Sequence, residues 1–116
     1  MEKMSQGFRN TCINKIGADP ERVEGIRNGQ FIEDDPKLKC YAKCIMSLMK
    51  TLKDGKLDID AAMKQVKIMA ADDIAPRLVA AGTSCYDEVQ NDDACEYAWS
   101  YVKCLHSKDA EVFFFP

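Results

Sequence analysis

Six cysteines are the residues with the clearest chemistry in this chain of 116 residues. An even number of cysteines in a short chain is typical of a secreted protein whose thiols are oxidised to disulfides. Zinc binding is disfavoured, because no two cysteines are separated by two residues and the chain has one histidine. The sequence therefore predicts three disulfides, formed within the set Cys12, Cys40, Cys44, Cys85, Cys95 and Cys104.

Cys40 and Cys44 are predicted to lie on one face of a helix, about 6 Å apart along its axis. Their Cα–Cβ bonds run parallel there, so each cysteine is placed to reach a different segment rather than the other. Cys95 and Cys104 are also predicted to share a helix, roughly 13 Å apart and beyond disulfide reach. Excluding these two pairs leaves about ten of the fifteen possible pairings, and the residues alone do not choose among them.

Hydrophobic residues recur every three or four positions along most of the chain, which predicts an all-α fold. Asp19-Pro20 and Asp35-Pro36 are typical helix starts, with an aspartate N-cap and a proline in the first turn. Asp72-Asp73 is predicted to cap the fifth helix, and Asp54-Gly55 is predicted to be a turn. The six predicted helices are 2–17, 20–28, 36–53, one from the Asp58 or Asp60 cap to about 70, 74–89 and 94–107.

The composition excludes several classes of function. The net charge is -3, and lysines and acids are interspersed, so no basic block is present to bind nucleic acid. The longest apolar run is too short for membrane insertion. No Ser/His/Asp set, glycine-rich phosphate loop or metal cluster is present, so we predict neither an enzyme nor a cofactor. No leader is visible from Met1 onward, and we expect a secreted, extracellular protein whose signal peptide has been removed.

The spacing of the cysteines resembles that of the six-cysteine insect odorant-binding proteins, a group that includes pheromone-binding proteins. The resemblance extends from the first cysteine to the C-terminal tail, and it holds at x3 and x8, the family's tightest spacings. The spacing is Cys12-x27-Cys40-x3-Cys44-x40-Cys85-x9-Cys95-x8-Cys104. The resemblance implies one compact six-helix domain over 1–116, with a central hydrophobic cavity covered by the tail at 108–116. It also implies interlocked disulfides between Cys12 and Cys44, Cys40 and Cys95, and Cys85 and Cys104.

The function implied by the resemblance is a secreted carrier that binds and transports small hydrophobic molecules such as odorants or pheromones. Six methionines favour this interpretation, because flexible thioethers adapt to ligands of varied shape. We expect a small hydrophobic ligand and a chemosensory receptor as partners, and a monomer or weak homodimer. The predicted ligand-binding residues are long or aromatic: Phe8, Ile45, Leu48, Met49, Leu52, Ile59, Met63, Val66, Met69, Ile74, Leu78, Val102, Leu105, Phe113 and Phe114.

The resemblance also implies a latch that holds the tail. In relatives with a tail of this length, a basic residue on the first helix and a tyrosine on the third bind the terminal carboxylate. The matching residues here are Arg9 and Tyr41, so we expect them to bind the Pro116 carboxylate and hold the tail phenylalanines over the ligand. Protonation of the carboxylate would weaken this latch, which predicts ligand release in acid. His106, near the end of the sixth helix, is expected to be an exposed bystander.

The alternative is a disulfide-stapled helical structural or interaction protein without a small-molecule ligand. Cys85-x9-Cys95 resembles the twin Cys-x9-Cys hairpins of the mitochondrial intermembrane space. Those hairpins need two separate pairs that face each other, whereas Cys95 is here followed by an x8 spacing to Cys104. Binding of a displaceable apolar probe distinguishes the carrier from this alternative.

Overall fold

The computed structural model describes residues 2–116, with side chains from Gln6 onward. Met1, where the predicted domain begins, lies outside the described residues. The predicted all-α class, with six helices and three disulfides, is confirmed, and one short hairpin is added to it. The elements are α1 Glu2–Ile16, α2 Pro20–Arg27, α3 Pro36–Leu48, β1 Leu52–Lys53, β2 Lys56–Leu57, α4 Ile59–Met69, α5 Ala75–Glu88 and α6 Ala94–Lys108.

Aspartates cap four of the helices. The Asp35 carboxylate accepts hydrogen bonds from the backbone N–H groups of Lys37 (3.1 Å) and Leu38 (3.2 Å) at the start of α3. Asp19, Asp58 and Asp93 accept equivalent bonds at the starts of α2, α4 and α6. These side chains satisfy N–H groups that the first turn of a helix leaves without partners.

The predicted Asp72-Asp73 cap of α5 is wrong. The helix begins at Ala75, and the residue at its N-cap is Ile74, which makes no side-chain capping bond. The two aspartates lie in a turn closed by a hydrogen bond from Ile74 N to Ala71 O (2.9 Å). They therefore precede the helix by too many residues to cap it.

The predicted third helix is too long, because α3 ends at Leu48 rather than near 53. Lys50 has a φ of +60°, a left-handed conformation that ends the helix. Asp54 and Gly55 also have positive φ values, as the two central residues of a tight hairpin turn require. The segment after α3 is thus an antiparallel hairpin in which Leu52 pairs with Leu57.

The core is built around α3, which packs against α1 on one side and α6 on the other. Tyr41 and Ile45 of α3 and Trp99 and Val102 of α6 are fully buried there. Disulfides between Cys12 and Cys44, Cys40 and Cys95, and Cys85 and Cys104 join α1, α3, α5 and α6. They are the pairs that the resemblance implies. No helix within residues 2–116 is both long and apolar enough to cross a membrane.

Candidate ligand-binding cavity

A cavity of about 510 Å³ lies between the end of α3, the hairpin, α4, α5, α6 and the C-terminal tail. This volume is within the range of small-molecule sites in proteins, roughly 300–1,000 Å³. The lining is almost entirely aliphatic, aromatic or thioether. The lining residues are Met46, Met49, Thr51, Leu57, Ala62, Met63, Gln65, Val66, Met69, Ala70, Ala71, Ile74, Leu78, Gly82, Tyr101, Val102, Leu105, Val112, Phe114, Phe115 and Pro116.

Many of the predicted ligand-binding residues meet at this cavity. They come from α4, α5, α6, the tail, and the cap residues Met49 and Ile74 at the end of α3 and the start of α5. Methionines from two helices face the same space, which gives the lining the flexibility that thioethers provide. The predicted residues that line the cavity are Met49, Met63, Val66, Met69, Ile74, Leu78, Val102, Leu105 and Phe114.

Six predicted ligand-binding residues do not line this cavity. Ile45 is fully buried in the core formed by α3 and its neighbours, and Leu48 is 38% exposed. Phe113 packs against Phe31 and His106 instead. The other three pack against the buried core without reaching the cavity: Phe8, Leu52 and Ile59. Hydrophobic periodicity identifies the apolar face of an element, but it does not separate a filled core from a cavity wall.

The sequence prediction missed small residues and tail residues that shape the cavity. Gly82 is the clearest example, because a Cβ at this position would lie 2.8 Å from Met63 Cε and 3.2 Å from Tyr101 Oη. Spacing gives a usable signal here, since Ala62 and Gly82 each lie four residues from a predicted lining residue on the same helix. Pro116, which is predicted only as a latch residue, also lines the cavity. The other lining residues outside the predicted ligand-binding set are Met46, Thr51, Leu57, Ala62, Gln65, Ala70, Ala71, Gly82, Tyr101, Val112 and Phe115.

Few polar groups face the cavity, and the two hydroxyls among them already donate hydrogen bonds. Tyr101 Oη donates to the Gly82 carbonyl (2.9 Å), and Thr51 Oγ1 donates to the Met46 carbonyl (2.9 Å). Burial raises the pKa of Tyr101, so its phenol stays neutral. The hydroxyl oxygens can therefore accept one more hydrogen bond from a ligand but have no free hydrogen to donate.

The C-terminal tail forms one wall of the cavity, and its three consecutive phenylalanines have different surroundings. Phe115 is buried and its ring packs edge-on against Tyr41, with 6.4 Å between ring centroids. Phe114 lines the cavity yet is 45% exposed, and the Arg27 guanidinium lies 5.8 Å from its ring centroid. Phe113 faces away from the cavity, against His106 at 5.1 Å. Arg27 Nε also donates a hydrogen bond to the Phe115 carbonyl (3.3 Å).

A model of the PBP/GOBP family matches residues 1–108. The chain belongs to the PBP/GOBP family. It is 29% identical to general odorant-binding protein 72 of Anopheles gambiae over 117 residues, which covers 100% of this chain and 95% of the relative.

Solved structures of the family are also similar to this one. Odorant binding protein 5 of Apis mellifera matches with a TM-score of 0.89 and 37% identity, over 99% of this chain and 93% of that one. Odorant binding protein 4 of Chrysopa pallens matches with a TM-score of 0.88 and 28% identity, over 99% of this chain and 94% of that one. The family resemblance drawn from the cysteine spacing is thereby confirmed.

The predicted tail latch is not the arrangement that this PBP/GOBP member adopts. Arg9 forms an ion pair with Glu24 of α2 at 2.5 Å, and that interaction holds the pKa of Glu24 below its ordinary value. The Tyr41 hydroxyl is buried without a hydrogen-bond partner among the described residues, and burial raises its pKa to about 12. Arg9, which was expected to bind the Pro116 carboxylate, therefore pairs with Glu24 instead. The tail receives its arginine hydrogen bond from Arg27, at the Phe115 carbonyl.

His106 is not the exposed residue that the sequence predicts. Its ring is half-buried and packs against Phe31, at 5.6 Å between centroids, and Phe113, at 5.1 Å. Gly29, with a φ of +80°, lies so close that a Cβ there would be 2.7 Å from the imidazole. Phe31 and Phe113 also contact each other, with 6.3 Å between ring centroids, so the loop after α2 and the tail of this family member meet around one histidine.

Proposed function

We propose that this chain is a secreted carrier that binds and transports small hydrophobic molecules, such as odorants or pheromones, without catalysing a reaction. The observation that supports this most strongly is the apolar cavity of about 510 Å³, which is large enough for a small organic ligand. Membership of the PBP/GOBP family supports the same function, since the similar proteins from Anopheles gambiae and Apis mellifera are named odorant-binding proteins.

The tail acts as a removable wall of the cavity in this proposal. Phe114 and Phe115 close one side of the space, and non-covalent contacts through Arg27, Tyr41 and His106 hold the segment in place. Residues 108–116 therefore cover the pocket of a carrier domain, whose delivery partner is a chemosensory receptor. Acid-triggered release stays a prediction. It was based on a contact between Arg9 and the Pro116 carboxylate, whereas Arg9 pairs with Glu24 in the structure.

Displacement of a fluorescent apolar probe by volatile alcohols, esters and aldehydes tests the proposal. The chain offers a matched pair of variants on α4, where Val66 lines the cavity and Ile68 is 73% exposed. Val66→Phe adds volume inside the cavity and should weaken probe binding about tenfold, the equivalent of roughly 1.4 kcal/mol. Ile68→Phe adds the same side chain outside and should leave the affinity unchanged.

If the folded protein binds no displaceable apolar probe, the carrier function is rejected. The alternative, a disulfide-stapled structural or interaction protein without a small-molecule ligand, is then favoured. Equal effects of the two phenylalanine variants would place the probe outside this cavity. Repeating the displacement at about pH 5 and at about pH 7.4 tests acid release, since an acid-opened tail lowers affinity at the lower pH for every ligand.

A further inference from the structure

None of the cavity-lining residues within the described part of the chain carries a charged side chain. The polar side chains are the two hydroxyls of Thr51 and Tyr101 and the amide of Gln65, and all three are neutral. The ionised group among the lining residues is the carboxylate of Pro116, which is an anion. A ligand with an oxygen-containing head group therefore meets hydrogen-bonding groups in this space but no cation. We infer that the cavity selects uncharged ligands, such as long-chain alcohols, aldehydes or esters, and rejects the fatty acids of the same chain length. This inference rests on the proposed function.

An ionised carboxylate is costly to remove from water when no cation compensates for the loss of hydration. In such surroundings the group takes up a proton instead, so the carboxylic acid would bind in its neutral form. Alcohols, aldehydes and esters carry no charge, and leaving a neutral polar group without a partner costs far less than burying an unpaired carboxylate. An alcohol can donate to the Thr51 or Tyr101 oxygen, whereas the carbonyl of an aldehyde or ester can accept only from the Gln65 amide. The difference between these ligand classes thus follows from the lining itself.

The cations on the elements around the cavity are directed to other partners or to solvent. Arg27 donates to the Phe115 carbonyl and lies over the Phe114 ring, and it is not itself a lining residue. Arg77 of α5 pairs with the carboxylates of Asp109 and Glu111. The lysines of α4, Lys64 and Lys67, are exposed. A carboxylate inside the cavity would therefore find none of these as a lining partner.

The size of the expected discrimination follows from the ionisation of the ligand. A carboxyl with a pKa of about 4.3 is protonated in about one molecule in 1,000 at about pH 7.4. If only the neutral acid enters, its apparent affinity falls by up to about 1,000-fold relative to the alcohol. Partial solvation of the head group near the tail lowers this figure, so we expect a ratio between about 10 and 1,000.

A series of four ligands with one chain length measures this ratio by probe displacement: dodecanol, dodecanal, methyl dodecanoate and dodecanoic acid. At about pH 7.4 the three neutral ligands should bind at least tenfold more tightly than the acid. The gap should narrow as the pH is lowered to about 5, because more of the acid is neutral. The affinity of dodecanol over the same range is the control for any effect of pH on the protein.

Acid binding as tight as dodecanol at about pH 7.4 would overturn the inference while leaving the carrier function intact. Failure of all four ligands to displace the probe would reject the carrier function itself. The variant Arg27→Gln supplies a second test. In this variant the affinity for dodecanoic acid is expressed relative to the affinity for dodecanol, so a change that affects both ligands equally cancels. We expect an unchanged acid-to-alcohol ratio, and a selective loss of acid affinity would show that a cation does serve the carboxylate.

Discussion

Truncating the three consecutive phenylalanines of the tail one at a time tests how the tail is seated. Phe113, Phe114 and Phe115 have the same side chain and nearly the same position in the chain, but their surroundings differ. Phe115 is 6% exposed and packs on Tyr41, while Phe114 is 45% exposed on the cavity rim. Each phenylalanine is changed to alanine, so the removed atoms are identical and the environment alone sets the effect.

The structure predicts the order of the losses in stability. Phe115→Ala should lower the free energy of unfolding by about 3 kcal/mol. This value is the lower end of the range for a buried phenylalanine changed to alanine, because a terminal segment can relax into part of the space that is left. Phe113→Ala loses two edge-to-face partners on a half-buried ring and should cost about 2 kcal/mol. Phe114→Ala should cost about 1 kcal/mol, since nearly half of its surface already meets water.

Thermal melting by circular dichroism, together with probe displacement, measures both consequences. At about 4 °C per kcal/mol for a domain of this size, the melting temperature should fall by about 12, 8 and 4 °C in that order. Probe affinity should fall for Phe114→Ala and Phe115→Ala, which remove cavity wall, and change less for Phe113→Ala. If Phe115→Ala destabilises no more than Phe114→Ala, the tail does not sit as described.

Two further predictions concern the frame around the cavity. Asp35→Asn should cost about 0.5–1 kcal/mol at neutral pH, because asparagine keeps the cap of α3 but loses the charge that faces the helix N-terminus and pairs with Arg22. Burial alone would raise the pKa of Asp35, but Arg22 and the N–H groups of Leu38 and Lys37 outweigh it and hold the pKa below its ordinary value. Wild-type stability should therefore fall as the pH drops below about 4, and Asp35→Asn should flatten that fall in acid melting curves. Replacing both Cys85 and Cys104 by serine removes a cross-link over a separation of 19 residues. This change should cost about 3 kcal/mol in urea unfolding, and an unchanged midpoint would contradict it.

The sequence predicted most of the fold because its signals are local. Aspartate-proline pairs and apolar stripes identified the helices with small errors at their ends, since capping and periodicity act within one turn. The end of α3 was missed because the apolar pattern continues through Leu52, although Lys50 takes a left-handed conformation. The Asp54-Gly55 turn signal was read correctly, but it was not extended into the two-residue strands beside it.

The cavity was predicted less completely, because its shape depends on which apolar residues lack a packing partner. Ile45 and Met49 lie one turn apart on the same face of α3, yet Ile45 is in the core and Met49 lines the cavity. The tail contact was also assigned to the wrong arginine. Arg9 and Arg27 lie on different helices. Only the three-dimensional structure shows that Arg9 forms an ion pair with Glu24 and that Arg27 donates to the Phe115 carbonyl.

The cross-links divide the walls of the cavity into two kinds. All six cysteines lie on α1, α3, α5 and α6, so the disulfides connect these four helices into one covalent frame. Neither α4 nor the tail contains a cysteine, although both contribute lining residues. Displacing the framed walls strains covalent bonds, whereas displacing α4 or the tail breaks only non-covalent contacts. Openings of low free energy are therefore expected at α4 and at the tail, where the contacts of α4 with α5 and of Arg27 with the tail oppose them. In the proposed carrier these are the two places at which we expect a ligand to enter.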